Sequence, residues 1–129
     1  MKLSLLMYLH VFAVLFFGLL LFFAPQTLAE HYEIEGFDEV GLYLARFIGY
    51  IYLAIGVMAW LMRNVGPSEA RRAFLIGLVV FNFGISVCMA HAIIIGTNGS
   101  MGWMGVALGI FLGGACLHFL WKNPLPTAE

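Results

Sequence analysis

The sequence predicts an all-α integral membrane protein, a bundle of four membrane-spanning helices in up-down-up-down order. Of its 129 residues, 63% are hydrophobic and 10% are charged, whereas a soluble domain is about 45–50% apolar and about 25% charged. A soluble fold of this length could not bury so much apolar surface. The apolar residues also fall into four runs, each of roughly the 20 residues that a bilayer core requires. Lipid is therefore the predicted solvent for most of the chain.

The first helix is predicted over residues 3–24, a run without charge that Pro25 stops. A cleaved signal peptide is the alternative, because Lys2 precedes the run and Thr27-Leu28-Ala29 resembles a cleavage site. The apolar region of a signal peptide has only about 7–15 residues. This run is longer, so the sequence favours an uncleaved first helix.

The other three helices are predicted over residues 41–62, 69–95 and 101–121. A polar segment, residues 26–40, separates the first two helices, and Gly36 breaks it. Glycine and proline end the second helix in a tight turn, after which Ser68 is a predicted N-cap. Because the connections after the second and third helices are short, sequence neighbours are expected to pack antiparallel in a single domain.

The positions of the charges predict the orientation of the bundle. Lys2, Lys122 and the three arginines of the middle turn all fall on one side of the predicted membrane. The segment 26–40 carries five acidic residues and neither lysine nor arginine. By the positive-inside rule, both termini are predicted to be cytoplasmic and the acidic segment to face outward. The acidic residues of that segment are Glu30, Glu33, Glu35, Asp38 and Glu39.

Small residues at a spacing of four mark the predicted packing faces, because close backbone approach replaces the hydrophobic driving force between helices in lipid. These faces could serve one bundle or several, so other membrane subunits or further copies of the chain are expected partners beside the bilayer. The formal net charge of −1 gives no basic footprint for nucleic acid. The predicted ridges are Gly41, Ala45 and Gly49; Gly84, Cys88 and Ala92; and Gly105, Gly109 and Gly113.

The candidate ligand site centres on Arg46, the one charge well inside an apolar run. Ionisable residues within membrane helices are costly and often functional. Tyr43 and Tyr50 flank Arg46 at helical spacing, and His91 is expected to point inward at a similar depth. One interpretation is that Arg46 reaches back to the acidic segment and pins it. The other is that Arg46 and His91 hold an anionic headgroup, a lipid or a quinone.

Two further histidines suggest an alternative. His10 and His118 lie toward the cytoplasmic side of the first and fourth helices, and two such residues could hold haem b. Asn82 is expected to form a hydrogen bond between helices. A transporter needs polar groups near the membrane midplane, where only Asn82 and Ser86 qualify, so this function ranks lowest.

Other kinds of site are not indicated by the sequence. No aspartate or glutamate lies within an apolar run, which argues against a carboxylate proton relay and a di-iron site. Cys88 and Cys116 lack the spacing of a thiol relay or a cysteine metal site. No nucleophile–base arrangement or phosphate-binding loop is present. The sequence therefore leans towards a protein without enzymatic activity and predicts no metal.

Several stretches together resemble the small, mostly uncharacterised bacterial four-helix membrane proteins related to DoxX, and Arg46 is the distinctive polar match. The resemblance covers nearly the whole chain and implies the same fold in a bacterial cytoplasmic membrane. It also implies kinship with quinone-linked oxidoreductase subunits or membrane helper proteins. The matching stretches are Phe23-Ala24-Pro25, Ala45-Arg46-Phe47-x-Gly49, the Arg-rich middle turn and the Gly-rich helix that begins at Gly102-Trp103.

The sequence as a whole predicts a small inner-membrane protein. It is expected to be an accessory subunit of a larger membrane complex or a binder of lipid or quinone near Arg46 and His91. A redox subunit that holds haem b through His10 and His118 is the alternative.

Overall fold

The computed structural model describes residues 3–34 and 37–122. Lys2, Glu35, Gly36 and the tail from residue 123 onward, which entered the predictions of orientation and of the break in the acidic segment, lie outside the described residues.

The described chain is all-α, as predicted. It contains α1 (Leu3–Phe23), α2 (Pro25–His31), α3 (Glu39–Met62), α4 (Glu69–Ile94) and α5 (Gly102–Lys122). All but α2 are long and apolar enough to cross a membrane, and each begins and ends within two residues of its predicted bounds. Helix α2 was not predicted. Pro25 ends α1 because it cannot continue a helix, yet it suits the first turn of a new one.

Side-chain caps determine where α3 and α4 begin. The carboxylate of Asp38 accepts a hydrogen bond of 2.8 Å from the backbone N–H of Gly41, and the Ser68 hydroxyl accepts one of 3.2 Å from the N–H of Arg71. The predicted cap at Ser68 is thus confirmed. Helix α3 begins two residues earlier than predicted because Asp38 satisfies an N–H group that would otherwise lack a partner.

Asp38→Ala is expected to lower the free energy of unfolding by about 1 kcal/mol and to speed amide exchange in the first turn of α3, because the cap is lost. Asp38→Asn is the control, since asparagine caps as well as aspartate does. Chemical unfolding in mixed micelles and hydrogen exchange provide the measurements. Equal losses in the two variants would show that charge, rather than capping, is responsible.

The bundle is built from two closely packed helix pairs. Helix α1 packs along α3, and α4 packs along α5. Although a short turn joins α3 to α4, these two helices do not pack closely, and the rings of Tyr52 and Phe81 (centroids 5.2 Å apart) bridge them. Residues from both pairs form one apolar core, made of Leu6, Met7, Val11, Ala59, Leu75, Leu78, Leu112 and Cys116.

Contacts at the two ends establish the alternating direction of the long helices. At one end the N–H of Gly99, between α4 and α5, donates to the carbonyl oxygen of Tyr32 after α2 (2.6 Å). At the other end Leu3, Ser68 and Leu120 line one small cavity. The first end carries Glu30, Glu33, Asp38 and Glu39, and the second carries Arg63, Arg71, Arg72 and Lys122 together with Glu69, the fifth acidic residue that the structure describes. This charge separation makes an acidic end and a basic end.

Glycines allow the close approach within each pair. A Cβ atom at Gly49 would lie 2.9 Å from the carbonyl oxygen of Gly18, so α3 approaches α1 backbone to backbone there. Ala45, one turn away, is also buried. On α5, Gly109 and Gly113 face α4, and Gly105 lies against the side chain of Met89.

Two parts of the predicted ridges do not mediate close approach between the long helices of the chain. Gly41 lies at the start of α3 beside the ring of Phe37, away from the neighbouring long helices. Gly84 and Cys88 are exposed, and a Cβ atom at Gly84 would meet nothing within 4 Å. The sequence left open whether the ridge of Gly84, Cys88 and Ala92 serves one bundle or several, and within the single chain Gly84 and Cys88 do not face the core. The buried stripe of α4 instead runs through Leu75, Leu78, Asn82 and Ser86.

Candidate functional site: a polar core and two outer faces

A buried polar cluster lies where α1, α4 and α5 meet. The side chain of His10 is fully buried, and those of Asn82 and Ser86 are nearly so. The amide nitrogen of Asn82 lies 2.8 Å from Nε2 of His10 and 2.6 Å from the carbonyl oxygen of Leu78. The hydrogen bond between helices that the sequence predicted for Asn82 is confirmed, and His10 is its partner.

The hydrogen-bonding capacity of an amide defines the protonation of His10. Because the amide nitrogen of Asn82 can only donate, Nε2 of His10 accepts, and the neutral ring carries its proton on Nδ1. The buried Nδ1 has no hydrogen-bond partner among the described residues. The cluster therefore holds a neutral imidazole and joins α1 to α4, without a carboxylate that could relay a proton.

Ser86 extends this cluster to α5. Its hydroxyl lies 2.8 Å from the carbonyl oxygen of Asn82 and 3.2 Å from that of Val106, so its single hydrogen lies between two acceptors. Gly109 makes this geometry possible, because a Cβ atom there would overlap the Ser86 hydroxyl and lie 2.9 Å from the Asn82 carbonyl oxygen. The glycine at position 109 of α5 thus leaves the space in which the polar side chains of α4 form their hydrogen bonds.

The structure does not bring His10 and His118 together. His10 is fully buried and its Nε2 is taken by Asn82, whereas His118 is exposed beside the ring of Phe119. The structure therefore lends no support to a bis-histidine site for haem b, because Nε2 of His10 faces α4 and already has a partner there. No group of three or more His, Cys, Asp or Glu residues that could hold a metal occurs in residues 3–34 and 37–122.

The inward pair of Arg46 and His91 is wrong, because both side chains are exposed. Arg46 follows the buried Ala45 and so lies about 100° round α3 from the packing stripe. His91 is nine residues from Asn82, which at about 100° per residue puts it on the opposite side of α4. The helical period therefore carries both groups away from the core.

Arg46 forms no ion pair and no hydrogen bond with a residue that the structure describes. Tyr43 and Tyr50 lie on the same side of α3, and their side chains are 67% and 60% exposed. A charge in such a position costs about 2.5–3.5 kcal/mol at the centre of a membrane helix and less near its end. An anion from outside the described chain would remove much of this cost.

The exposed side of α4 carries a second regular stripe, which we call the outer seam. Its positions alternate at spacings of three and four residues along the whole helix, the pattern by which one helix packs on another. All eight residues are exposed, and Cβ atoms at Gly77 and Gly84 would meet nothing within 4 Å. The outer seam consists of Ala70, Ala73, Gly77, Val80, Gly84, Val87, His91 and Ile94.

The other three long helices present large side chains outward. These faces are rich in aromatic rings, as lipid-facing and interfacial surfaces are. Among the described residues, only α4 has an exposed side that consists mainly of glycine, alanine and valine. The exposed large side chains include Phe12, Phe16 and Phe23 on α1, Tyr43, Phe47 and Tyr50 on α3, and Trp103, Met104 and Phe111 on α5.

Helix α2 and Tyr32 close the acidic end. Tyr32 is buried, and its hydroxyl would lie 3.9 Å from a Cβ atom at Gly105. Burial raises the pKa of the Tyr32 hydroxyl, because a phenolate there would lose its hydration. Beside it a cavity of about 350 Å³ is lined by Gln26, Ala29, Glu30, Glu33, Ile34 and Phe37. This cavity opens at the surface, away from the polar core.

Comparison with known proteins provides one match. A family model described as "Domain of unknown function (DUF8292)" matches residues 8–125. No curated protein and no solved structure matches the chain.

Proposed function

The chain belongs to the DUF8292 family, and we propose that it is a non-enzymatic accessory subunit of a membrane complex. It would lie in the cytoplasmic membrane of a bacterium with its basic end inside and its acidic end outside. The charge separation supports this orientation through the positive-inside rule, although Lys2 lies outside the described residues. The likeness to DoxX-related proteins stays a prediction, and the proposed role does not depend on it.

The outer seam of α4 is the observation that carries this proposal. Helices associate in lipid through small residues that let their backbones approach, and α5 already packs on the opposite face of α4 in this way. The outer seam repeats the arrangement without an occupant in the described chain. A transmembrane helix of another subunit is the partner that such a surface suits best, with His91 at the acidic end available as a polar contact.

The interior supports an assembly role over catalysis or transport. His10, Asn82 and Ser86 are buried and bonded to one another or to backbone carbonyl oxygens. They lie within the packed core, whereas the described cavities at the acidic and basic ends are lined by other residues. The polar core therefore stabilises the bundle, and the outward surface is the part available for interaction.

Photo-cross-linking in the native membrane tests the proposal. A photoreactive amino acid at Val87 in the outer seam is expected to give a discrete protein adduct, whereas the same group at Phe16 on α1 is expected to give lipid adducts. Gly84→Leu should reduce the yield of the Val87 adduct at least about tenfold, because leucine prevents the close approach of the partner's backbone. A tenfold change corresponds to about 1.4 kcal/mol in the free energy of association.

Gly114→Leu is the matched control, since a Cβ atom at Gly114 on α5 also meets nothing within 4 Å. It is expected to leave the Val87 adduct unchanged. Lack of a protein adduct at Val87, or equal protein adducts at Val87 and Phe16, would contradict the assignment of α4 as the contact helix.

A further inference from the structure

The Arg46 side chain, which pairs with no residue that the structure describes, lies on the exposed side of α3. It is the eighth residue of the helix, so its Cα lies roughly 10 Å below the helix start at about 1.5 Å per residue. Long basic side chains in such positions extend toward the membrane surface. The side chain can thus reach the level of lipid phosphates while its stem stays in the apolar layer.

From this placement we infer that Arg46 binds the phosphate of an anionic phospholipid in the leaflet at the acidic end. The planar guanidinium donates two parallel hydrogen bonds to phosphate oxygens. Tyr43 lies one turn nearer the end and Tyr50 one turn deeper, both exposed on the same side. The ring of Tyr50 is held by Phe22 of α1, with centroids 4.7 Å apart. The Tyr43 hydroxyl adds a donor toward the headgroup, and Tyr50 forms a wall along the acyl chain.

Side-chain size favours lipid over a partner helix as the source of the anion. The surface round Arg46 is made of Tyr43, Phe47 and Tyr50, each more than half exposed. Large flexible or aromatic groups keep a second helix at a distance, whereas an acyl chain fits between them. The outer seam, with its small residues, lies on a different helix, so the lipid site and the proposed subunit contact are separate surfaces.

Glu39 is the described acidic residue best placed to compete for Arg46. It lies seven residues before Arg46 and so nearly on the same side of α3. The two Cα atoms are separated by roughly 10 Å along the axis, and no ion pair joins the side chains in the structure. Glu35 belongs to the same acidic segment but lies outside the described residues. Both glutamates are therefore changed in the test.

Lipid retention by the full-length protein, purified in mild detergent, measures this site. Native mass spectrometry with phosphatidylglycerol and, separately, phosphatidylcholine is expected to show preferential retention of phosphatidylglycerol. Arg46→Leu should weaken phosphatidylglycerol binding at least about tenfold and leave phosphatidylcholine unchanged. Arg46→Lys should weaken it less, since an ammonium keeps the charge but not the paired donors. Tyr43→Phe should weaken it a few-fold in wild type but not in the Arg46→Leu background.

Two controls test whether lipid binding belongs to Arg46 itself. Arg72→Leu removes the same charge at the basic end, and an equal loss there would show that net charge alone sets the preference. Glu35→Gln/Glu39→Gln keeps Arg46 and should retain or strengthen phosphatidylglycerol binding. A different result would overturn the inference. If the double variant and Arg46→Leu lose the same amount of stability and both retain lipid as the wild type does, Arg46 pairs with the acidic segment rather than with lipid.

A partner protein is the remaining alternative source of the anion. A photoreactive group at Phe47 that gives a protein adduct abolished by Arg46→Leu would overturn the lipid assignment. Lipid binding at Arg46 depends on membrane insertion but not on the α4 contact. If Val87 gives no protein adduct while the protein retains phosphatidylglycerol through Arg46, only the subunit proposal is contradicted. If Val87 gives the adduct while Arg46→Leu leaves phosphatidylglycerol binding unchanged, only the lipid site is contradicted.

Discussion

His10→Ala is expected to lower the free energy of unfolding of the purified protein by about 3 kcal/mol. The side chain is fully buried, so its removal leaves a cavity in the core. It also takes away one of the two acceptors of the Asn82 amide, which lies in a nearly buried position. Because this hydrogen bond joins α1 to α4, we expect the two helix pairs to separate at lower denaturant. Chemical unfolding in mixed micelles measures the difference.

His118→Ala is the matched control, because its side chain is exposed on α5 and surface substitutions usually change stability by less than about 0.5 kcal/mol. Asn82→Ala should cost about as much as His10→Ala, and the double variant should cost less than the sum if the two residues interact directly. Strictly additive losses, or equal losses for His10→Ala and His118→Ala, would contradict a stabilising bond between His10 and Asn82.

Gly109→Leu is expected to destabilise the pairing of α4 with α5 by about 3 kcal/mol, at the upper end of overpacking effects. Even a Cβ atom at this position would overlap the Ser86 hydroxyl and lie close to the Asn82 carbonyl oxygen. The helices must move apart, and Ser86 then loses its acceptor on α5. Unfolding in mixed micelles and protease sensitivity of the turn between α4 and α5 should both report this change.

Gly109→Ala and Gly114→Leu complete this series. The alanine variant should already lose stability, because the clash involves the Cβ atom itself. Gly114→Leu places the larger side chain in open space on the same helix and is expected to be nearly neutral. If the losses follow side-chain size alone, irrespective of position, the close approach at Gly109 is not the cause.

Much of the helical framework could be predicted because it depends on local properties. An apolar run as long as a bilayer is thick has few alternatives to a spanning helix. Proline, glycine and Ser68 define helix ends through the bonds that the backbone can or cannot form. Helix α2 was not predicted because Pro25 both ends α1 and begins α2. A single proline was interpreted only as the end of a helix.

The candidate sites were predicted less well because contacts in the tertiary structure decide which side of each helix faces the core. The regular small-residue spacing of Gly84 and Cys88 indicated a packing face on α4, but the face that is occupied within the chain is the opposite one. Packing of α4 is decided by Gly109 and Gly113 of α5, which accommodate Asn82 and Ser86. The regular spacing of small residues along the exposed side of α4 is visible in the sequence. The same spacing would occur in a buried stripe, so the sequence alone does not show which side of α4 faces the core.

The sequence by itself determined the fold class, the four long helices and the separation of acidic from basic connections, because each follows from hydropathy, local backbone chemistry and charge order. Only the tertiary structure decided that His10 meets Asn82, seventy-two residues away, and that Arg46 and His91 lie outward. A helix rotated by about 100° exchanges one set of side chains for another at little cost in local energy. The rotation is chosen by contacts between helices, which depend on pairs of residues far apart in the chain.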